Sequence, residues 1–81
     1  GAVAKVAAEE YERALTAKMF STSKRAQEYS EYEINECRQF FLSDSFATLM
    51  PHVNGDEVLH LIEKKVYQAW KRYGDEHDDR E

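Results

Sequence analysis

Glu33 is the residue of this sequence whose position most suggests chemistry. Helical spacing places it among the apolar positions of the second periodic segment, between Tyr29 and Cys37. A carboxylate in apolar surroundings has a raised pKa and can act as an acid or base, or pair with a charge across a dimer interface. Alternatively, the helix is rotated slightly, so that Glu33 reaches solvent or meets Lys18 of the preceding helix. No serine, histidine or second carboxylate stands at a telling spacing, which favours the second interpretation.

The three histidines are the other candidates for acid–base or metal chemistry. His52 is expected in a loop, His60 on a helix and His77 in an acidic tail, without the HExxH spacing that brings two imidazoles to one helical face. The DEHDD segment lacks the glycine and ligand spacing of a calcium loop. The three glycines lie too far apart to form a phosphate-binding loop. We therefore expect no metal, no cofactor and no catalytic residues, and predict that the chain is not an enzyme.

The strongest pattern lies in residues 56–73, which sort into two faces at about 100° per residue. One face is apolar and is expected to be buried: Val58, Leu59, Ile62, Val66, Ala69, Trp70 and Tyr73. The opposite face carries Leu61 among cationic and polar residues: Lys64, Lys65, Gln68, Lys71 and Arg72. Such a face can contact nucleic-acid phosphates, with Gln68 toward a groove, or an acidic protein partner, or it can simply keep a small bundle in solution.

The charge distribution bears on these alternatives. Residues 75–81 hold five acids and one arginine, so they account for −4 of the formal net charge of −5. The rest of the chain is nearly neutral, whereas nucleic-acid-binding domains usually have a basic excess. The sequence therefore favours a protein partner for the cationic face over nucleic acid.

Tyr32 and Tyr67 lie off the main apolar arcs of their helices. Together with Leu61 they suit a modest, partly polar contact surface. The predicted partner-binding residues are Tyr32, Leu61, Lys64, Lys65, Tyr67, Gln68, Lys71 and Arg72.

Four helical segments must position these side chains. Helical periodicity predicts a first helix over residues 3–20, a second over about 24–42 and a last one over 56–73. A short helical turn over about 45–50 should end at Pro51, which lacks the amide proton that a helix interior requires. The predicted fold is all-α, a small compact bundle of three main helices plus a short helical turn, with antiparallel neighbours.

Local signals predict where the helices begin and end. Ser23 is expected to cap the second helix, and Asn54 or Asp56 the last. Gly74 follows the last periodic residue and is expected to be a C-cap. Residues 1–74 should thus form a single domain, followed by a mobile, disordered acidic tail over residues 75–81.

The expected environment and function follow from size and cysteine content. An 81-residue chain buries only about 60–65% of its unfolded surface, and Val6 and Phe20 lie outside the first helix's main arc, which leaves room for a homodimer. The single Cys37 favours a reducing compartment, the cytoplasm, and no apolar run could cross a membrane. We predict a non-enzymatic protein-protein interaction or regulatory module that self-associates. The alternative is a small helical nucleic-acid-binding or transcription-related protein that uses the basic face.

Overall fold

The computed structural model describes residues 2–78, and the side chains of residues 2–74. The chain forms four helices, α1 (Ala2–Phe20), α2 (Lys24–Phe41), α3 (Asp44–Leu49) and α4 (Gly55–Asp78), and no strand occurs between residues 2 and 78. The predicted all-α fold of three main helices and a short fourth is confirmed.

Polar side chains cap α2, α3 and α4, and the caps of α2 and α4 are at predicted positions. Ser23 and Ser43 each accept a hydrogen bond from the backbone amide three residues later, at 3.3 and 3.2 Å. Asn54 Oδ1 accepts from the amides of Asp56 and Glu57, at 2.9 and 3.3 Å. Each cap satisfies amide protons that the first helical turn leaves without a partner. Of the two residues predicted to cap the last helix, Asn54 is the one that does so.

The predicted C-cap at Gly74 is wrong. α4 continues through Gly74 to Asp78, and no glycine among the described residues adopts a positive φ. No atom lies within 4 Å of the position that a Cβ of Gly74 would occupy, so no packing contact forces the chain to turn there. The predicted disordered tail over residues 75–81 therefore overlaps the last turn of α4, and residues 79–81 lie outside the described part of the chain.

α2 runs antiparallel to α1 and to α4, as predicted for neighbours, whereas α1 and α4 run parallel. Tyr11 and Lys18 of α1 contact Arg38 and Glu31 of α2, respectively. Arg38 also bonds Glu63 of α4, while the carbonyl oxygen at the end of α2 lies against the start of α4. α1 packs against both α2 and α4, and α2 also contacts α3 and α4.

One glycine makes the close approach of α2 and α4 possible. A Cβ on Gly55 would lie 1.9 Å from the carbonyl oxygen of Phe41 and 3.3 Å from a ring carbon of Phe46. Any other residue at this position would push the N-terminus of α4 away from α2. The rings of Phe40, Phe41 and Phe46 pack edge to face beside this contact, with centroids 5.0 to 5.6 Å apart.

The core lies between α1, α2 and the first half of α4. Its most buried large side chains are Tyr11 and Leu59, at 1% and 0% exposure. The other members of the core cluster are Ala14, Ile34, Cys37, Phe41 and Phe46.

The apolar arc of α4 is buried only in part, which corrects the sequence prediction. Leu59 and Val66 are buried, but Trp70 is 41% and Tyr73 49% exposed, and Ala69 is also exposed. Exposure rises toward the end of α4 because the contacts of α2 with α4, at Gly55 and Glu63, lie in the first half of α4. α1 follows α4 as far as Tyr73, whose ring lies 5.3 Å from that of Phe20.

Two apolar residues on the periodic arcs of α1 and α2 are also exposed. Tyr29 is 65% exposed because it lies about 140° around α2 from the buried Ile34. Val3 of α1 is 61% exposed because it lines an open cleft between α1 and α2.

Candidate interaction surfaces

A three-residue polar network fixes the rotation of α4. Arg38 Nη1 donates hydrogen bonds to Glu63 Oε2 at 2.7 Å and to the Tyr11 hydroxyl at 3.3 Å. The Tyr11 hydroxyl in turn donates to Glu63 Oε2. Each of the three main helices contributes one side chain, so turning α4 about its axis would break the network.

The network perturbs the Tyr11 phenol. Burial, followed by the hydrogen bond to the Glu63 carboxylate, raises the pKa of Tyr11 from 10.0 to about 12, although nearby Arg38 lowers it. The phenol therefore stays neutral and remains a donor far above neutral pH. The phenol proton is bonded to the Glu63 carboxylate and the ring is buried. Tyr11 therefore packs in the core and helps to fix the orientation of α4.

With α4 fixed in this way, one of its faces points to solvent. Leu61 is 68% exposed, and Lys64, Gln68, Lys71 and Arg72 are exposed on the same side. They fall within roughly 100° around the helix. We call these five residues the outward face of α4.

Lys65 belongs to the predicted basic surface but is already paired. Its ammonium lies 3.1 Å from Glu12 Oε2 of α1, and the lysine side chain is 69% exposed. A surface pair of this kind adds little stability, yet it reduces the charge that Lys65 offers to a partner. Lys64, Lys71 and Arg72 make no ion pair within the described residues.

The two predicted tyrosines lie in different places. Tyr67 is 51% exposed at the edge of the outward face, and its ring lies 6.1 Å from that of Trp70. Tyr32 is 64% exposed on α2, about 160° around the helix from Ile34, and points away from the bundle. The predicted partner-binding residues of α4 therefore share one side of the molecule, and Tyr32 stands apart from them.

A second surface is an apolar cleft of about 420 Å³ between the N-terminal half of α1 and the C-terminal half of α2. Its lining residues are Ala2, Val3, Val6, Ala7, Glu10, Glu36, Cys37 and Phe40. Sequence reasoning placed Val6 outside the main arc but did not find the cleft. The sequence feature that could have indicated the cleft is the pair Val3 and Val6, whose branched side chains lie along one edge of α1.

The cleft carries negative charge. Burial and the nearby carboxylates of Glu10, Glu33 and Glu36 raise the pKa of the Cys37 thiol above 9.0. No cation is among the lining residues. The cleft therefore presents an apolar floor with an acidic rim.

Glu33 is half-buried at the flank of this cleft. It accepts a hydrogen bond of 3.1 Å from the hydroxyl of Tyr29. It does not meet Lys18, whose ammonium pairs with Glu31 instead. The neighbour proposed for Glu33 from the sequence is thus wrong, because Glu31 is the acidic side chain of α2 that lies against α1.

Among residues 2–74, whose side chains the structure describes, no three histidine, cysteine, aspartate or glutamate side chains are grouped so that they could hold a metal ion. No helix described there has the length and apolar character needed to span a bilayer.

Comparison of the chain with protein-family models, with curated proteins and with solved structures found no match.

Proposed function

We propose that this chain is a non-enzymatic protein-interaction or regulatory module that self-associates through the outward face of α4. The observation that carries the proposal is the position of Leu61, which is 68% exposed at the start of a stripe that continues through Lys64, Gln68 and Arg72. A large apolar side chain beside polar and cationic residues resembles the anchor and rim of protein interfaces. The half-exposed ring of Tyr67 lies at the edge of the same face.

The rigidity of α4 supports the same function. The network of Tyr11, Arg38 and Glu63 holds the helix before any partner arrives. A preformed face loses little conformational entropy on binding, so a modest contact area can give useful affinity.

The single thiol supports a reducing compartment, and we propose the cytoplasm. Cys37 is buried at 8% exposure and is not in a disulfide. Because the chain has one cysteine, it has no internal disulfide to gain from an oxidising compartment.

The test is light scattering coupled to gel filtration over a concentration series, comparing the wild-type chain with Leu61→Lys. The matched control is Leu42→Lys, because Leu42 is 55% exposed near the end of α2 and lies off the outward face. We expect the wild type and the control to associate with rising concentration, whereas Leu61→Lys stays monomeric. Equal association of all three chains would contradict the proposal.

The alternative function is nucleic-acid binding through Lys64, Lys71 and Arg72, all of which are exposed. The same Leu61→Lys variant separates the alternatives, because it removes an apolar anchor while adding a cation. Phosphate binding would become tighter in this variant and would fall steeply with salt, with a slope near −0.9 per neutralised phosphate. Fluorescence anisotropy with a labelled DNA duplex measures both effects, and substitution of Lys64, Lys65, Lys71 and Arg72 by glutamine should abolish any such binding.

A further inference from the structure

The two surfaces of this chain are complementary in charge, and each has an apolar centre. We propose that the cleft between α1 and α2 receives the outward face of α4 from a second copy of the chain, with Leu61 entering the cleft. This inference rests on the proposed function and identifies the other half of its interface.

The cleft suits an apolar side chain flanked by cations. Val3, Val6 and Phe40 give it an apolar lining, and Glu10 and Glu36 stand at its rim. Both carboxylates are exposed and make no ion pair among the described residues. A purely apolar occupant would leave the Glu10 and Glu36 carboxylates partly covered and without a counter-charge.

The outward face of α4 supplies these groups in a single stripe. Leu61 is followed by Lys64 one turn later and by Lys71 two turns beyond that, a span of about 15 Å along the helix. Glu57 is the acidic side chain next to Leu61 on this side, and it lies at the N-terminal end of the stripe. The cationic part of the stripe is therefore the part that can meet the rim carboxylates.

The pairing must occur between copies. α4 packs on α1 and is fixed by Glu63, so its outward face points away from the molecule's own cleft. Each copy thus carries one donor face and one acceptor cleft. Such a heterologous contact builds a closed ring or an open chain of copies unless two copies engage reciprocally.

Charge exchange tests this arrangement. The acceptor variant carries Glu10→Lys and Glu36→Lys, and the donor variant carries Lys64→Glu and Lys71→Glu. All four side chains are exposed and outside the described ion pairs, so both variants should keep the wild-type circular dichroism spectrum. A control with Glu9→Lys and Glu28→Lys has the same change in net charge as the acceptor variant but alters exposed residues that do not line the cleft.

The readout is sedimentation equilibrium of each chain alone and of an equimolar mixture. We expect each variant alone to be monomeric where the wild type and the control associate. We also expect the mixture to recover wild-type association, because every cleft then meets an α4 face of opposite charge.

The remaining outcomes separate this inference from the proposed function. If both variants associate like the wild type, or if mixing restores nothing, the cleft is not the acceptor, although self-association through Leu61 stands. If the wild type stays monomeric throughout, the inference and the proposed function both fail.

Discussion

Arg38 of α2 and Glu63 of α4 form a hydrogen-bonded ion pair of 2.7 Å above the buried hydroxyl of Tyr11. The two residues are 25 positions apart in the chain and join two different helices. The pair determines which side of α4 faces the core and, consequently, which side is offered to a partner. Both proposals above depend on this orientation.

Replacing Tyr11 by phenylalanine should destabilise the fold while keeping its shape. The variant loses the hydrogen bond to Glu63, whereas the bond from Arg38 to the same carboxylate remains. Loss of a hydrogen bond to a charged group costs about 1.5–3 kcal/mol. Urea denaturation at neutral pH measures the change, and an unaltered free energy of unfolding would show that the network contributes nothing.

The difference in the free energy of unfolding between the wild type and Tyr11→Phe should depend on pH. The unfolded phenol ionises near pH 10.0 and the folded one near 12, so the folded state holds the proton more tightly. The stabilisation from the neutral phenol is complete below pH 10 and is lost as pH rises through 12, a difference of roughly 2–3 kcal/mol. The advantage of the wild type over Tyr11→Phe should therefore shrink in urea titrations above pH 10. A constant difference across this range would mean that the pKa of Tyr11 is not raised.

The two glycines of α4 should respond to alanine in opposite directions. Gly55→Ala places a methyl group against the carbonyl oxygen of Phe41, and we expect it to lower the free energy of unfolding by at least about 2 kcal/mol. Gly74→Ala meets no atom within 4 Å. It should stabilise a continuous helix by about 0.5–1 kcal/mol. Thermal denaturation measures both, and destabilisation by Gly74→Ala would indicate that α4 ends at Gly74.

Residues on the apolar arc of α4 should contribute unequally to the free energy of unfolding, with the buried ones contributing most. Leu59 is fully buried, so Leu59→Ala should cost about 2–5 kcal/mol. Trp70 is larger but 41% exposed, and we expect Trp70→Ala to cost less than half as much. Acrylamide should also quench the fluorescence of Trp70 efficiently in the monomer. Equal costs for the two variants would place Trp70 in the core.

The sequence predicts the helices well because their signals are local. Periodicity locates α1, α2 and α4, and the hydroxyl or amide of Ser23 and Asn54 marks where two of them begin. The single exposed leucine of the α4 face also follows from periodicity, since Leu61 interrupts a polar stripe.

Features that depend on what lies opposite a helix could not be predicted from local spacing. Arg38 looks like an outward residue until Glu63 is placed beside it. Trp70 lies on the predicted apolar arc but is 41% exposed, because the contacts of α2 with α4 lie in the first half of α4. The acidic cleft is likewise formed by residues more than 20 positions apart, Glu10 and Glu36 among them.

The most direct test of self-association through the outward face of α4 is the weight-average mass of the chain by sedimentation equilibrium, from micromolar to millimolar concentration. The monomer has a mass of 9.5 kDa. We predict that the mass of the wild type rises above this value with concentration and that Leu61→Lys remains at it. A wild-type mass that stays at 9.5 kDa throughout, or a Leu61→Lys curve that matches the wild type, would contradict the proposed function.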